Sequence, residues 1–454
     1  MKVTIEIKEA EYGKFSDIKL CYKNSANVDS KISLVFNQYV KVFDFTNDFR
    51  SVKFDFFLIS AIVYGVDNLF NREIHFFDGW ARELEVEFPV YNLSNWKGNE
   101  NLLEQTLNFL TGDIWNIKFS QNTERNYFFP KNGRWKRNIK SYEKEKIKCV
   151  SLFSGGLDSL IGVIDELEKL GNDEKILFVS HFDYKSSGPN GDQSKLYNYL
   201  KEKYIDKIYW VQSKLALNRK NENFENVKVE NNYRSRSLFF IGLGCYLSTT
   251  DRLIIPENGT ISINYPLTPS RVSSLSTRTT HPFVIDNIQK LLTNCGLGTV
   301  IENPYTFKTK GEMFINCTNQ DILNGIFKSS VSCGKRGRKQ FNYDNRLAAH
   351  CGRCMPCIYR RAALNKASLD NQLDYGNFIT NVNTLGKNDL PALFNFLNRN
   401  ITLEQMKRDL LVNGSISLGN LTEYSEMVLK SKDEVLQLFR DKGNEYVKSQ
   451  LRQI

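Results

Sequence analysis

The predicted fold of this chain follows from one stretch of sequence, Cys149-Val150-Ser151-Leu152-Phe153-Ser154-Gly155-Gly156-Leu157-Asp158-Ser159. Its first five residues are mostly apolar and predict a buried strand. The paired glycines that follow allow the backbone to turn tightly and to approach a ligand without a Cβ in the way. Apolar residues then recur at helical spacing over residues 157–170. The stretch therefore predicts a strand, a glycine turn and a helix N-terminus, an arrangement that binds phosphate.

Short apolar runs and helical patterns alternate after this stretch. Further strands are predicted at residues 176–179, 208–211 and 253–255, and helices at residues 194–204 and 236–247. Strands that alternate with helices of this length indicate an α/β fold with a doubly wound parallel sheet. We place the domain that contains this sheet at residues 147–330.

The chain on the N-terminal side of this domain has a different pattern. Apolar and polar residues alternate in the first seven positions and again across residues 32–45, which predicts strands. Helical patterns follow at residues 56–69 and 102–110. We therefore predict an added N-terminal α+β domain at residues 1–124.

Three further segments complete the predicted domain organisation. Residues 125–146 form a basic linker with little apolar periodicity. Residues 331–364 contain a cluster of cysteines and form a module of their own. Residues 365–454 have helical patterns and form a C-terminal extension.

Composition excludes several classes of protein. The chain has 454 residues, of which 41% are hydrophobic and 25% are charged, values typical of a globular protein. Its longest nearly pure apolar run, residues 238–247, is about half of a membrane span. The first residues lack the apolar block of a signal peptide. We expect a cytoplasmic protein that has no membrane partner.

The net charge of +10 is concentrated in two segments. Residues 125–148 contain nine basic and two acidic residues, and residues 335–346 contain five basic residues and one acidic residue. The rest of the chain is therefore nearly neutral. A surface that is basic throughout, as in a nucleic-acid binder, is not indicated. Either segment could instead bind a nucleotide or a partner.

The glycine turn is the predicted phosphate-binding site. Backbone N–H groups of the turn and of the helix N-terminus form an anion nest, to which serine hydroxyls can add donors. A carboxylate is unexpected beside phosphate and predicts a Mg²⁺ ion that bridges the two. The alternative is a simple turn in which Asp158 only places a negative charge at the helix N-terminus. The predicted ATP-binding residues are Ser154, Gly155, Gly156, Leu157, Asp158 and Ser159.

Four of the nine cysteines form a second cluster, Cys333, Cys351, Cys354 and Cys357. Four thiolates suit tetrahedral Zn²⁺ and close its coordination sphere, so the metal would be structural. A ferredoxin-type iron–sulfur run would need a cysteine at position 361, which is an arginine. Redox chemistry and chance clustering remain alternatives, as does His350 as a ligand.

Other candidate residues surround the glycine turn in the predicted sheet. A guanidinium such as that of Arg236 binds phosphate or carboxylate in bidentate fashion, and Lys310 could neutralise charge that develops on the phosphates. Glu257 and Asn258 follow a predicted strand, where open α/β sheets bind ligands. We add Arg278 to these two as a candidate substrate residue. The alternatives are a surface ion pair for Arg236 and a solvated side chain for Lys310.

The motif Ser-Gly-Gly-x-Asp-Ser after a strand resembles the pyrophosphate loop (PP-loop) of N-type ATP pyrophosphatases, which have an adenine nucleotide alpha hydrolase-like (HUP-like) fold. The run Ser332-Cys333, followed by Cys351-Gly352-Arg353-Cys354-Met355-Pro356-Cys357, is similar to that of the 7-cyano-7-deazaguanine synthase (QueC) family. Thr309-Lys310-Gly311-Glu312 resembles the Thr-Lys-Ala-Glu stretch of the same family. The resemblance covers residues 146–364. The added N-terminal and C-terminal segments resemble the longer QueC-like proteins of bacterial antiphage systems, such as the QatC proteins of Qat operons.

This resemblance implies a PP-loop ligase that forms AMP and diphosphate. The enzyme would adenylate the carboxylate of a 7-carboxy-7-deazaguanine-like molecule and transfer the acyl group to an amine, in a bacterial antiphage defence system. The implied acceptor is a partner protein from the same operon, and the implied cofactors are ATP, Mg²⁺ and Zn²⁺.

Other functions remain open at this stage. The chain could be a nitrile synthase that acts on the free deazaguanine base, or a tRNA-modifying PP-loop enzyme that grips the phosphate backbone with its basic segments. It could also be an ATP-binding scaffold without turnover. A nucleic-acid partner is not favoured, because the basic residues are confined to two segments.

Overall fold

The computed structural model describes residues 1–8, 17–24, 27–37, 39–75, 81–123, 142–183, 187–230, 234–267, 278–336, 339–384, 386 and 389–451. Most of the predicted basic linker, residues 125–141, lies outside the described residues.

Ten strands form one mixed sheet. The strands are β1 (Lys2–Lys8), β2 (Asp17–Lys23), β3 (Asp29–Asn37), β4 (Glu83–Val90), β5 (Ile114–Gln121), β6 (Ile147–Leu152), β7 (Lys175–Asp183), β8 (Ile208–Leu217), β9 (Arg252–Ile254) and β10 (Val300–Glu302). Their order across the sheet is β10-β9-β6-β7-β8-β3-β2-β1-β4-β5. Pairing is parallel from β10 to β8 and from β1 to β5, and antiparallel from β8 through β3 and β2 to β1. The predicted α/β class is confirmed, and the sheet is mostly but not wholly parallel, because β2 and β3 pair with their neighbours in antiparallel fashion.

Helices flank both faces of the sheet. The described helices are α1 (Tyr39–Thr46), α2 (Val52–Leu69), α3 (Arg72–His75), α4 (Leu93–Trp96), α5 (Glu100–Thr111), α6 (Leu157–Leu167), α7 (Ser187–Lys203), α8 (Arg236–Leu247), α9 (Gly259–Ile263), α10 (Pro282–Asn294), α11 (Lys310–Ile315), α12 (Gln320–Ile326), α13 (Met355–Lys366), α14 (Leu390–Leu397), α15 (Leu403–Asn413), α16 (Leu421–Lys442) and α17 (Glu445–Ser449). Val150 and Leu177 pack in the core that contains α2 and α8, whereas Ile176 and Phe178 pack against α6 and α7. Alternate residues of the central strands thus face opposite helical layers, as the pleat of a buried sheet requires. None of the described helices has the length and apolar character needed to cross a membrane.

The strand-like alternation over residues 32–45 extends into a helix. β3 ends at Asn37 and α1 begins at Tyr39. Val42, Phe43 and Phe45 are all buried, which places neighbouring residues of the chain in the same core. A helix with a broad apolar face can bury neighbouring residues such as Val42 and Phe43 together with Phe45. A strand instead sends successive side chains to opposite faces. The alternation therefore predicted the first half of this segment and not the second.

The strands of residues 1–124 belong to the same sheet as the strands of residues 147–330. β3 pairs with β8 over Leu34–Leu217 to Asn37–Lys214, and α2 packs against α8. Gly242 permits this close packing, because a Cβ there would lie 2.1 Å from the Oγ of Ser60 on α2. One hydrophobic core thus continues from the N-terminal strands to α8. The boundaries between the predicted domains stay predictions.

A buried network of charges also joins the N-terminal strands to α8. Asp67 accepts hydrogen bonds from Arg82 Nη2 at 2.6 Å and from Arg72 Nη2 at 3.2 Å. Asp67 also accepts from the backbone N and the Oγ of Ser235, at 3.0 and 2.8 Å, and Ser235 is the residue that precedes α8. Asp113 supplies a second buried carboxylate to both arginines. The network fixes the N-terminus of α8, the helix that carries Arg236.

The C-terminal helices form a second apolar cluster. Residues of α14, α15 and α16 pack on one another and on Tyr265 and Ile358. Thr309, which caps α11, donates to Glu434 Oε1 on α16 at 2.6 Å. The predicted helical extension is therefore helical in the structure, and it supports the segment that carries Lys310.

Candidate functional site

The predicted phosphate loop lies between β6 and α6, where the order of the strands reverses. The chain leaves β6 and continues to β7 on one side, whereas β9, which comes later in the chain, pairs on the other side. Ligands of open α/β sheets bind in the crevice at such a switch point, outside the carboxyl ends of the strands. The topology thus places the loop where a ligand site is expected.

Gly155 gives the loop its turn. Its φ is +85°, a conformation that disfavours residues with a Cβ. A Cβ there would also lie 3.1 Å from Cγ of Gln193 and 3.3 Å from its backbone N. Gln193 donates to the carbonyl oxygen of Ser154 at 3.2 Å, so α7 holds the loop from one side. The Gly-Gly pattern therefore predicted the loop correctly, because the first glycine adopts a left-handed backbone conformation that other residues disfavour.

The N-cap residue of α6 has no side chain to cap the helix, and Ser332 Oγ accepts only from the first helical amide, Leu157 N, at 3.1 Å. The N-cap is Gly156, and the Oγ of Ser154 accepts from the backbone N of Gly156 at 3.3 Å and donates to the Oγ of Ser159 at 3.1 Å. Uncapped amides at a helix start carry partial positive charge and bind anions. The loop therefore has the donors that the sequence predicted for phosphate.

A cavity of about 430 Å³ opens in front of this loop. That volume lies within the range of sites for small molecules and cofactors. One wall is apolar, with Phe240, Ile241 and Ile255, and the other is polar. The predicted residues that line it are Ser154, Gly156, Leu157, Asp158, Ser159, Arg236, Glu257 and Lys310.

Asp158 is paired within the protein. The Nζ of Lys310 donates to Oδ1 of Asp158, and Asn258 Nδ2 donates to Oδ2 at 2.6 Å. The side chain of Lys310 is 5% exposed and that of Asp158 is 13% exposed. Residues that lie 100 and 152 positions from Asp158 thus converge on its carboxylate. Three of the predicted site residues meet at one point.

The donors around Asp158 limit how a Mg²⁺ ion could bind. Among the described residues, the four clustered cysteines form the only group of three or more His, Cys, Asp or Glu that could hold a metal. Asp158 therefore offers a single carboxylate, as in Mg²⁺ sites where phosphate and water supply the other ligands. The residues fit a Mg²⁺ that arrives with a nucleotide, and this role of Asp158 stays a prediction.

Asn258 also has a structural role. Its Oδ1 accepts from the backbone N of Ile261 at 3.1 Å and caps α9, while its Nδ2 holds Asp158. Asn258 is fully buried and does not line the cavity. Both functions of its side-chain amide are thus used within the protein. A contact of Asn258 with the substrate stays a prediction, and in the structure its side chain bonds to Asp158 and to the backbone of α9.

Glu257 lies on the cavity wall, next to Asn258. The Oγ1 of Thr280 donates to its Oε2, and Asn303 Nδ2 donates to its backbone oxygen at 2.8 Å. Burial raises the pKa of Glu257 to about 7, and the nearby charge of Asp158 acts in the same direction. The hydrogen bond from Thr280 and the positive charge of Lys310 lower the pKa of Glu257, but by less than burial raises it.

The two predicted arginines differ in their surroundings. Arg236 is exposed, lines the cavity and makes no ion pair with the described residues. Its guanidinium is therefore available to an anion. The Cζ atom of Arg278 instead lies 4.2 Å from the ring centroid of Phe109, and its Nη1 donates to the Phe109 carbonyl oxygen at 3.1 Å. Its neighbours Thr279 and Thr280 line the cavity, but Arg278 does not.

The four clustered cysteines form a candidate zinc site. Their sulfurs lie within 4.8 Å of one another, with distances of 4.0 Å from Cys333 to Cys354 and 3.9 Å from Cys351 to Cys357. Tetrahedral Zn²⁺ with Zn–S bonds of about 2.3 Å requires sulfur separations of about 3.8 Å. Backbone N–H groups of Cys351 and Cys354 also donate to cluster sulfurs, at 3.3 and 3.4 Å. The described geometry fits a metal held by four thiolates.

The cysteine module contacts the phosphate loop directly. Ser332, next to Cys333, accepts from the backbone N of Leu157 at 3.1 Å, and Val331 N donates to the Gly155 oxygen at 2.9 Å. Pro356, beside Cys357, lines the cavity. The sequence prediction did not include Ser332 or Thr280. Adjacency to Cys333 was a signal for Ser332, and Thr280 lies two residues after Arg278, a predicted substrate residue.

Comparison of the chain with protein-family models, with curated proteins and with solved structures found no match.

Proposed function

We propose that this protein is a QueC-like PP-loop ligase that adenylates a carboxylate with ATP. One observation carries the proposal: the N-terminus of α6, whose N-cap residue is a glycine without a capping side chain, opens onto a cavity of about 430 Å³ that Arg236 and Lys310 also line. Two cations and a helix N-terminus that share one cavity favour a polyphosphate ligand. The sequence resemblance adds the reaction class.

Each residue of the site has a proposed role. The amides after Gly155 and the hydroxyls of Ser154 and Ser159 bind the pyrophosphate portion of ATP. Lys310, now paired with Asp158, moves to the phosphates when ATP binds, because a triphosphate carries more negative charge than one carboxylate. Asp158 is then free to hold the Mg²⁺ that accompanies the nucleotide. Arg236 binds the substrate carboxylate or a phosphate.

The proposed chemistry has two steps. The oxygen of the substrate carboxylate attacks the α-phosphate of ATP, and pyrophosphate leaves, which gives an acyl-adenylate. An amine then attacks the acyl carbon, AMP leaves, and an amide forms with loss of one proton. The proposed acid is a 7-carboxy-7-deazaguanine-like molecule and the proposed acceptor is a partner protein of an antiphage system. Both identities come from the sequence resemblance.

The cysteine module has a structural role in this proposal. A zinc ion with four sulfur ligands has no open position for a substrate. It would fix the loop that contains Ser332, and Ser332 in turn accepts from the first amide of α6. The metal would therefore shape the phosphate site without taking part in the reaction.

The proposal is tested by pyrophosphate release from ATP in the presence of 7-carboxy-7-deazaguanine. We expect Asp158→Asn and Lys310→Ala to lower this rate by about 100-fold, because each removes a charge at the phosphates. Asp173→Asn and Lys308→Ala are the controls, since both residues are exposed and neither lines the cavity. Circular dichroism verifies that each variant is folded. Equal rates in Asp158→Asn and the wild type would exclude catalysis at this loop.

The acceptor distinguishes the proposed reaction from its alternative. Mass spectrometry of products formed with ammonia, RNA or operon partner proteins identifies where the acyl group goes. A protein adduct supports transfer to a partner, whereas free nitrile as the sole product supports a nitrile synthase. Modified RNA would support the tRNA-modifying alternative.

A further inference from the structure

Glu257 is a carboxyl group on the cavity wall that has no role in the adenylation step proposed above. It follows β9 and sits one residue before Asn258, whose amide holds Asp158. Its Oε2 accepts from Thr280, and no hydrogen bond to Oε1 is formed by the described residues. One oxygen of the carboxyl is thus fixed, and the other has no partner of its own within the described protein.

The neighbouring charges leave this group able to bind a proton near neutral pH. Asp158 and Lys310 are the charged groups that face Glu257, and their effects on its pKa oppose each other. Burial dominates and raises the pKa of Glu257 to about 7. A carboxylate with that pKa accepts a proton more readily than an ordinary surface glutamate, and it can still be ionised at neutral pH.

The second step of the proposed reaction needs a proton acceptor. When a neutral amine attacks an acyl-adenylate, its nitrogen becomes positively charged, and the proton must leave before the amide is stable. The titratable side chains that line the cavity among the described residues are Asp158, Arg236, Glu257 and Lys310. Arg236 and Lys310 are cations, and the proposed function assigns Asp158 to the Mg²⁺ that accompanies the nucleotide. Glu257 is the remaining candidate.

We propose that Glu257 is the general base of acyl transfer, an inference that rests on the proposed function. The amine nitrogen forms a bond to the acyl carbon while its proton passes to the Glu257 carboxylate. The bond from the acyl carbon to the phosphate oxygen breaks, and AMP leaves with that electron pair. The products are the amide, AMP and a protonated Glu257, which releases its proton to solvent. Thr280 is the positioning residue, because it fixes Oε2.

The experiment separates the two half-reactions. Adenylation is measured as isotope exchange between pyrophosphate and ATP with 7-carboxy-7-deazaguanine present. Transfer is measured after the adenylate has formed, by adding ammonium chloride or hydroxylamine and following AMP release in a single turnover. Both nucleophiles attack as neutral amines and must then lose a proton, but the nitrogen of protonated hydroxylamine is more acidic than that of ammonium, so its transfer depends less on a general base.

We expect Glu257→Gln to retain exchange and to slow transfer to ammonia by about 100-fold or more. Transfer to hydroxylamine should fall much less. At a fixed concentration of free ammonia, the wild-type transfer rate should rise with pH through about 7, the pKa of Glu257, and the variant should lose that rise.

Thr280→Val gives a second measurement that does not depend on Glu257→Gln being folded. The hydrogen bond from Thr280 lowers the pKa of Glu257, so its loss should raise that pKa. The rise of the transfer rate should therefore shift to higher pH. A merely structural role of Thr280 would lower the rate without moving the profile.

The outcomes identify which proposal fails. If the wild type catalyses no exchange between pyrophosphate and ATP, the proposed function is wrong, and so is the role of Glu257 that rests on it. If exchange occurs but Glu257→Gln transfers ammonia at the wild-type rate with an unchanged pH profile, the general base is wrong and the ligase stands. An unshifted profile in Thr280→Val likewise contradicts the role of Glu257.

Discussion

Gly155 illustrates how a single residue can determine the candidate site. Its positive φ turns the chain from β6 into α6, and its lack of a Cβ allows Gln193 to approach. Gln193 is itself held by Gln212, whose Nε2 donates to Gln193 Oε1 at 2.7 Å. The loop is thus preformed by contacts that do not involve a ligand, which lowers the entropy lost when a ligand binds.

We predict that Gly155→Ala weakens ATP binding by at least about tenfold, because the added Cβ, 3.1 Å from Cγ and 3.3 Å from the backbone N of Gln193, would push the loop and α7 apart. Gly98→Ala is a matched control, since Gly98 has a φ of +92° but nothing within 4 Å of its Cβ position. Both variants should lose about 1–2 kcal/mol of unfolding free energy, the cost of a left-handed conformation for alanine. Calorimetric titration with ATP and urea denaturation measure the two effects. Wild-type ATP affinity in Gly155→Ala would contradict this account.

Residue types at this site could be predicted from the sequence, but their pairings could not. Two glycines, two serines and an aspartate after an apolar run indicate a phosphate loop without any knowledge of distant residues. The ion pair of Asp158 with Lys310 depends on how α6 and α11 are brought together, and no local pattern encodes that. Asn258 was predicted to contact substrate, yet its amide caps α9 and holds Asp158. Polar residue type alone does not distinguish a ligand contact from a buried cap.

At the scale of elements, the cysteine module joins a loop to a helix. Cys354 is the N-cap residue of α13, and Cys357 lies in its first turn. Cys333 comes from the loop whose residues 331 and 332 contact the phosphate loop. A metal bound by these sulfurs would therefore hold α13 and the phosphate loop in a fixed relation.

We predict that the purified protein contains one zinc ion per chain and that Cys354→Ser loses it, because four sulfurs are needed for a closed site. Cys21→Ser is the control, since Cys21 lies outside the cluster and is only partly buried. Elemental analysis measures the metal. Loss of zinc should also weaken ATP binding, since Ser332 would no longer be held against Leu157. Full zinc content in Cys354→Ser would show that the cluster is not the site.

At the scale of the whole molecule, buried histidines couple stability to pH. Burial lowers the pKa of His281 to about 3 and holds that of His181 well below its ordinary value. His281 also caps α10, where its Nδ1 accepts from the backbone N of Phe283 at 3.2 Å. A protonated imidazole cannot accept this hydrogen bond.

We predict that unfolding free energy falls as pH is lowered from about 6.5, the ordinary pKa of histidine, towards the depressed values in the fold. Over that range the unfolded chain binds protons that the folded chain does not, so the contribution of these groups is complete above about pH 6.5. His281→Asn keeps a capping acceptor and should lose less stability on acidification. Urea midpoints measured from neutral to mildly acidic pH compare the two proteins. Parallel curves would contradict this role of His281.

The sequence predicted the local elements of the fold better than their assembly. Residues 236–247 were predicted as a helix with the bounds that the structure has, because apolar residues and the end of the run at Ser248 are local signals. The pairing of β3 with β8 was not predicted, because the sequence pattern of a strand does not indicate which distant strand it pairs with, as Leu34 does with Leu217. The N-terminal segment was therefore predicted as a domain of its own, whereas its strands extend the main sheet.

The pairing of β3 with β8 has a consequence for synthesis. On the ribosome, β3 emerges about 180 residues before its partner, so one edge of the N-terminal strands stays open until about half of the chain has been made. Unpaired strand edges recruit other chains, and contacts of long sequence separation form slowly. Nascent chains that stop before residue 217 would therefore expose this edge permanently, which makes incomplete translation products of this protein prone to aggregate.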